Sequence, residues 1–132
     1  MDRARFADDV LFHHRAAPVV AAVAHADLAD FGAEVIRIEK VDGSEDRFIQ
    51  PVGEGGEGAM FMQMGRNKLG MTLNPMKPEG REIVRKLVAT ADVVVENFSP
   101  RVMGNLGIDY ETLREIRPDL IMCSLSAYGA SG

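Results

Sequence analysis

Along the chain, stretches with the apolar spacing of a helix alternate with continuous apolar runs typical of buried strands. From Pro78 to Ala89, apolar residues recur every three to four positions with charged residues between them, which predicts an amphipathic helix. The β-branched run from Val93 to Val95 follows, and such a run is typical of a strand buried on both faces of a parallel sheet. Apolar runs near residues 35, 70 and 122 predict three further strands. The pattern predicts an α/β fold: a Rossmann-like, doubly wound, mainly parallel sheet with helices on both faces.

Two more helices are predicted beside these elements. Apolar residues from Pro18 to Phe31 keep helical spacing, and Gly32 suits the position after a helix end. Asp109 is placed to cap a later helix that ends before Pro118. Helices that lie next to strands in this way are expected of βαβ units.

A glycine-rich loop, residues 41–58, separates the first two predicted strands. Gly53, Gly55 and Gly58 fit the spacing of the dinucleotide-binding pattern G-x-G-x-x-G. That pattern requires a strand before it and a helix after it, whereas here it lies within a loop beside Glu54 and Glu57. We therefore interpret this segment as a flexible lid or crossover and not as a phosphate-binding turn.

The end of the β-branched strand carries side chains that a buried strand does not favour. Glu96, Asn97 and Phe98 follow it directly, and Ser99 and Pro100 can open a helix. In an open α/β sheet, ligands bind in the crevice beyond the carboxyl ends of the strands. A turn whose polar residues only cap the following helix would have the same composition, so the pattern alone leaves both interpretations open.

Composition narrows the class of protein. Hydrophobic residues make up 46% of the 132 residues, enough for a packed core, and the formal net charge of −5 argues against a nucleic-acid partner. The single cysteine, Cys123, excludes an intrachain disulfide, and its apolar surroundings predict a buried structural thiol. The first residues lack the apolar core of a signal peptide, and no apolar stretch approaches a membrane span. We expect a cytoplasmic protein with no membrane partner.

Metal chemistry is not predicted. His13, His14 and His25 have no cysteine or carboxylate at the spacing of a metal site.

Four segments carry a resemblance to a known family. They are LADFGAEVIRIEK (residues 28–40), GRNKLGMTLN (65–74), KPEGREIVRKLVATADVVVENFSP (77–100) and LGIDYETLREIRPDLIMCSLSAYGASG (106–132). In this order and spacing they resemble the N-terminal part of the class III CoA-transferase family. That family includes formyl-CoA transferase, crotonobetainyl-CoA:carnitine CoA-transferase and α-methylacyl-CoA racemase.

The resemblance implies that residues 1–132 are the N-terminal part of a CoA-binding Rossmann-like domain. It implies that Lys40 flanks the adenine nucleotide, that Asn97 and Phe98 line the CoA site, and that Tyr128 and Gly129 lie near the thioester. Because the phosphates of CoA favour Lys and Arg, further cations belong to the candidate site. We expect the site residues beyond the carboxyl ends of the strands, on one rim of the sheet. The full candidate set is Lys40, Lys68, Asn97, Phe98, Arg101, Tyr128 and Gly129.

The resemblance also implies the chemistry, with coenzyme A and a carboxylic acid as substrates and no metal. A carboxylate attacks the acyl-CoA thioester, forms a mixed anhydride and releases CoA, which then passes to a second acid. The aspartate that attacks in this family, and the second domain through which its homodimers interlock, would lie beyond residue 132. We therefore expect this chain alone to be an inactive fragment with no catalytic residue of its own. An acyl-CoA racemase, a non-catalytic CoA- or nucleotide-binding module and an inert fragment are the alternatives.

Two further positions depart from the family pattern. Ala16-Ala17-Pro18 stands where the family usually has an Ala-Gly-Pro turn that touches CoA. Asn105 stands where some members have an arginine, and Arg101, one helical turn earlier, is placed to substitute for it.

Overall fold

The computed structural model describes residues 28–99 and 101–126. Its strands are β1 (Val35–Glu39), β2 (Lys68–Thr72), β3 (Val93–Glu96) and β4 (Ile121–Ser124). Its helices are α1 (Ala59–Met64), α2 (Pro78–Val88), α3 (Val102–Leu106) and α4 (Tyr110–Ile116), with a 3-10 helix at Glu45–Phe48. The predicted α/β class with parallel strands is confirmed. None of the helices described is long and apolar enough to cross a bilayer.

The four strands form two parallel pairs. In the first pair β1 lies beside β2, and the pairing ends with Glu39 beside Thr72. In the second pair β3 lies beside β4, and the pairing ends with Glu96 beside Ser124. Each connection crosses over through helices, α1 in the first pair and α3 with α4 in the second, as parallel pairing requires. Within the described part of the chain, the two pairs are separate ladders and not the single sheet that the sequence predicts.

One cluster of buried apolar side chains includes residues from both pairs. Ile38 of β1 and Leu73 after β2 belong to it, together with Val84 and Val88 of α2 and Phe98 after β3. Its remaining members are Leu106, Ile108, Leu113 and Leu120. Because both pairs contribute to this cluster, they pack around the same core.

Helix α2 begins and ends within one residue of the bounds that its apolar spacing predicts. Val84 and Val88 face the core, as expected of the apolar stripe. The first turn packs tightly against the preceding loop, because a Cβ on Gly80 would clash with the carbonyl oxygen of Asn74. Only glycine permits this close approach, which joins the end of β2 to the start of α2.

The three aspartates between residues 92 and 119 have structural contacts. Asp109 caps α4 as predicted, since its carboxylate accepts a hydrogen bond from the Thr112 amide at 2.9 Å, and this bond lowers the pKa of Asp109. The Arg117 guanidinium lies 2.7 Å from the Asp92 carboxylate and 2.9 Å from that of Asp119. Through Arg117, Asp92 and Asp119 therefore tie the start of β3 to the loop before β4.

Two expectations about burial are wrong. Cys123 is exposed, not buried. Val93 is 44% exposed and Ile121 is 62% exposed, although the sequence predicts strands buried on both faces. These residues alternate with the core-facing positions of β3 and β4 and share one face, and nothing in the described part of the chain buries it.

Candidate functional site

The carboxyl end of β3 holds a buried amide that has no hydrogen-bond partner. Asn97 follows the last residue of β3 and is only 2% exposed. Among the described residues, neither the nitrogen nor the oxygen of its side chain is paired. Nearly all buried polar groups in folded proteins are paired, because an unpaired one costs about 1–3 kcal/mol. A buried amide without a partner needs an explanation, and a ligand bound at the end of β3 would supply one.

A cleft of about 790 Å³ is lined by the residues on both sides of Asn97. Glu96 and Phe98 contribute to its wall, and β4, α3, α4 and the loops beside them supply the rest. Phe98 also belongs to the buried core, so its ring is held firmly at the boundary between core and cleft. Met103 and Tyr110 add further apolar surface. The cleft is therefore mostly apolar, with polar groups at the end of β3.

Arg101 borders the same cleft from the loop between β3 and α3. Its side chain is exposed, and its backbone has the left-handed φ of 79°. A residue other than glycine costs about 1–2 kcal/mol in that conformation. The loop keeps this strain and places a guanidinium at the edge of the cleft, where it can pair with a phosphate.

Lys40 lies directly beyond the carboxyl end of β1, where the sequence places it. Its backbone oxygen accepts a hydrogen bond from the Gly43 amide at 2.9 Å, which closes a turn after the strand. Lys40 is half-buried and does not line the cleft beside Asn97. The structure thus brings Phe98 and Arg101 together with the neighbour residue Asn97, and it places Lys40 at the end of the other strand pair.

Lys68 lies at the opposite end of its strand from the predicted rim. It is the first residue of β2 and lies beside Val35, the first residue of β1. The Lys68 ammonium donates a hydrogen bond to the carbonyl oxygen of Met64, and burial lowers the pKa of Lys68. As a residue that opens a parallel strand, Lys68 lies at the amino edge of the sheet, away from the carboxyl ends of the strands.

The two residues before Lys68 bind the chain itself. The Arg66 guanidinium lies 2.6 Å from the Asp30 carboxylate, and the Asn67 amide donates to the same carboxylate at 3.1 Å. The bond from Arg66 lowers the pKa of Asp30. These contacts fasten the turn before β2 to the helical residues 28–30.

A buried charge cluster lies on one face of β1 and is not evident from the sequence pattern. Arg37 Nη2 lies 2.7 Å from Asp46 Oδ1, and Arg47 Nε donates to Glu39 Oε2 at 2.7 Å. The guanidinium carbons of Arg37 and Arg47 lie 5.1 and 4.0 Å from the centre of the Phe61 ring. The glycine-rich loop, interpreted from the sequence as a flexible lid or crossover, lies in the crossover from β1 to β2 and is held to β1 by buried ion pairs. The sequence signal for this cluster is the alternation of Arg37 and Glu39 within a strand, followed after a turn by Asp46-Arg47.

The remaining candidates fall outside the described residues. Tyr128 and Gly129 do so, as do the three histidines and Ala16-Ala17-Pro18. Within residues 28–99 and 101–126, no group of His, Cys, Asp or Glu side chains is arranged to hold a metal ion.

A sequence model of CoA-transferase family III matches residues 14–132, which include every strand and helix described above. The chain belongs to CoA-transferase family III. The end of β3, the amide of Asn97 and the cleft all lie within the matched part of this family III chain.

Relatives of this family III chain include enzymes and a solved structure. The succinate–glutarate CoA-transferase of Agrobacterium fabrum is 39% identical over 112 residues, and the match covers 80% of this chain and 28% of the relative. The succinyl-CoA:glutarate CoA-transferase of Homo sapiens is 37% identical over 107 residues, which is 80% of this chain and 24% of the relative. The crystal structure of a CAIB/BAIF family protein from Brucella suis has a TM-score of 0.79 at 39% identity, over 85% of this chain and 31% of that one. The chain therefore spans about a quarter to a third of the length of these relatives.

Proposed function

We propose that residues 1–132 form a CoA-binding part of an enzyme that transfers CoA between carboxylic acids. Membership of family III supports the class of ligand. The buried, unpaired amide of Asn97 is the observation that carries the proposal, because it offers both a donor and an acceptor at the carboxyl end of β3. The pantetheine arm of CoA contains secondary amides, which need one donor and one acceptor each and so complement this side chain.

The neighbouring residues complement the other parts of CoA. Phe98 presents an apolar wall to the pantetheine chain, and Arg101 at the edge of the cleft can pair with a phosphate. Lys40 beyond β1 is the candidate for the adenine nucleotide, with Tyr128 and Gly129 as the candidates near the thioester. Lys68 does not belong to the site that we propose, since it lies at the amino edge of β2.

The proposed reaction needs groups outside this chain. A carboxylate attacks the thioester carbonyl and forms a mixed anhydride while the CoA thiolate leaves. The thiolate returns to the enzyme carbonyl and displaces the first acid. The second acid and the thiolate then repeat both steps in reverse, and this regenerates the carboxylate. We place the attacking aspartate outside residues 1–132 and expect the full-length protein to be a homodimer. The names of both curated relatives pair two dicarboxylic acids, and on that basis we propose a short dicarboxylic acid as acceptor.

Calorimetric titration of the 132-residue chain with CoA tests the proposal, with NAD as the control ligand. We expect weak, saturable heat with CoA and no heat with NAD, because the unpaired amide of Asn97 matches the pantetheine arm, which NAD lacks. Equal binding of both nucleotides, or no binding of CoA, would contradict the proposal. Transfer of CoA between two carboxylates by this chain alone would contradict the placement of the attacking aspartate.

Replacing Arg101 by glycine should stabilise the fold and weaken CoA binding at the same time. Glycine relieves the left-handed strain at φ 79°, so we expect the free energy of unfolding to rise by about 1 kcal/mol. Loss of the guanidinium removes a phosphate partner, so CoA affinity should fall. Urea unfolding and calorimetry measure the two effects. Asn67→Gly is the matched control, because Asn67 also has a positive φ but lies at the amino edge, and it should leave CoA affinity unchanged.

A further inference from the structure

Glu96 is a buried carboxylate whose role the proposed CoA site does not yet explain. It is the last residue of β3, it is 5% exposed, and it lines the cleft. Among the described residues Glu96 takes part in no ion pair, unlike the buried carboxylates of the charge cluster on β1. Burying a carboxylate without a cation is unfavourable, so its hydrogen bonds must compensate.

The Glu96 side chain bonds the backbone two residues later, with Asn97 between the two ends of the bond. Its Oε2 atom accepts a bond from the backbone amide of Phe98 at 2.7 Å. The backbone oxygen of Glu96 accepts a bond from the Leu125 amide at 2.8 Å, which holds the same residue to the end of β4. Asn97 therefore lies inside a short ring that is closed by a charged hydrogen bond and fixed to the sheet. A bond to a charged group is about twice as strong as a neutral one, so the ring resists opening.

We propose that Glu96 is a positioning residue for CoA binding, which orients the Asn97 amide by fixing the turn from residue 96 to residue 98. The proposal rests on the proposed CoA site, in which the Asn97 amide bonds pantetheine. An amide on a loose turn would find its own backbone or water as a partner. A fixed turn holds the amide in one orientation before the ligand arrives, which lowers the entropy lost on binding.

The test compares Glu96→Gln, which keeps an acceptor oxygen, with Glu96→Leu, which keeps similar bulk and has none. Hydrogen exchange of the Phe98 amide reports on the turn, and calorimetry with CoA reports on binding, both in the 132-residue chain. In Glu96→Leu we expect the exchange to accelerate and CoA affinity to fall, each by about tenfold or more. In Glu96→Gln both changes should be smaller than in Glu96→Leu, because a neutral acceptor is retained although the charge is lost. Glu82→Ala, at an exposed glutamate of α2, is the matched control and should change neither.

Two outcomes would overturn the proposal. One is a Glu96→Leu variant with unchanged exchange or unchanged affinity, and the other is a Glu96→Gln variant as impaired as Glu96→Leu. Glu96→Ala takes its place if Glu96→Leu does not fold. Asn97→Ala, measured in parallel, separates the two hypotheses. Unchanged CoA affinity in Asn97→Ala counts against the proposed function. If Asn97→Ala loses affinity and Glu96→Leu does not, only the role of Glu96 is contradicted.

Discussion

Replacing Glu39 by alanine should lower the free energy of unfolding by about 3 kcal/mol, more than any substitution at the exposed charges. Glu39 is 3% exposed and accepts hydrogen bonds from the Arg47 guanidinium and from the Ser44 amide. Its removal leaves Arg37 and Arg47 with Asp46 as their nearest remaining acidic partner in the cluster. Breaking one partner of a buried ion pair is costly because it leaves charge uncompensated in a poorly hydrated site.

Urea unfolding followed by circular dichroism measures this effect, with the midpoint and slope analysed together. Glu45→Ala is the matched control, since Glu45 is an exposed glutamate in the 3-10 helix that contains Asp46 and Arg47, and it should change stability by less than about 0.5 kcal/mol. A Glu39→Ala variant as stable as this control would show that the charge cluster contributes nothing to the fold.

Acid should weaken the same cluster. Burial raises the pKa of Glu39, but the bonds from Arg47 and Ser44 and the charge of Arg37 lower it by more, so it lies below its ordinary value of 4.5. A carboxyl whose folded pKa is lowered stabilises the protein above its unfolded pKa, and this stability is lost as the pH falls through the folded value. We expect the stability difference between the wild type and Glu39→Gln to shrink as the pH falls below about 4.5. A difference that is constant across this range would contradict the ionised state of Glu39.

The elements with a strong local signal are those that the sequence predicts well. Helix α2 has a clear apolar stripe, and Asp109 has the local geometry of a cap, so both appear where expected. Local signals depend only on neighbours along the chain, which is why composition and spacing suffice for them.

The sequence fails where a prediction depends on which segments of the chain pack against each other. Cys123 sits in an apolar run, but an apolar run shows only that a strand forms and not that each of its faces is covered. Lys68 begins a strand, and its place at the amino edge follows from the parallel register with Val35. The charge cluster on β1 depends on contacts between Arg37 and Asp46, nine residues apart, and no periodicity signals a pair at that distance. Of the candidate site, the sequence therefore offers a crevice at the end of β3 but does not predict which residues of β4, α3 and α4 line it.

Replacing Asn97 by alanine should cost little stability and much CoA affinity. Truncating a buried residue normally destabilises a protein, but here the lost packing is offset by removal of an unpaired amide that costs about 1–3 kcal/mol. We expect the free energy of unfolding to stay within about 1 kcal/mol of the wild type, and CoA affinity to fall by about tenfold or more.

Urea unfolding and calorimetry with CoA, on the same preparation, decide between a ligand-binding amide and a structural one. Asn67→Ala is the matched control, because Asn67 bonds Asp30 at the amino edge of β2 and should leave CoA affinity unchanged. If Asn97→Ala binds CoA as the wild type does, Asn97 is not part of the site. If instead it lowers the free energy of unfolding by more than about 2 kcal/mol, its amide is paired in the free protein and serves the fold. A fall in CoA affinity with stability retained identifies a ligand-binding amide, because only then does the partner of the amide arrive with the ligand.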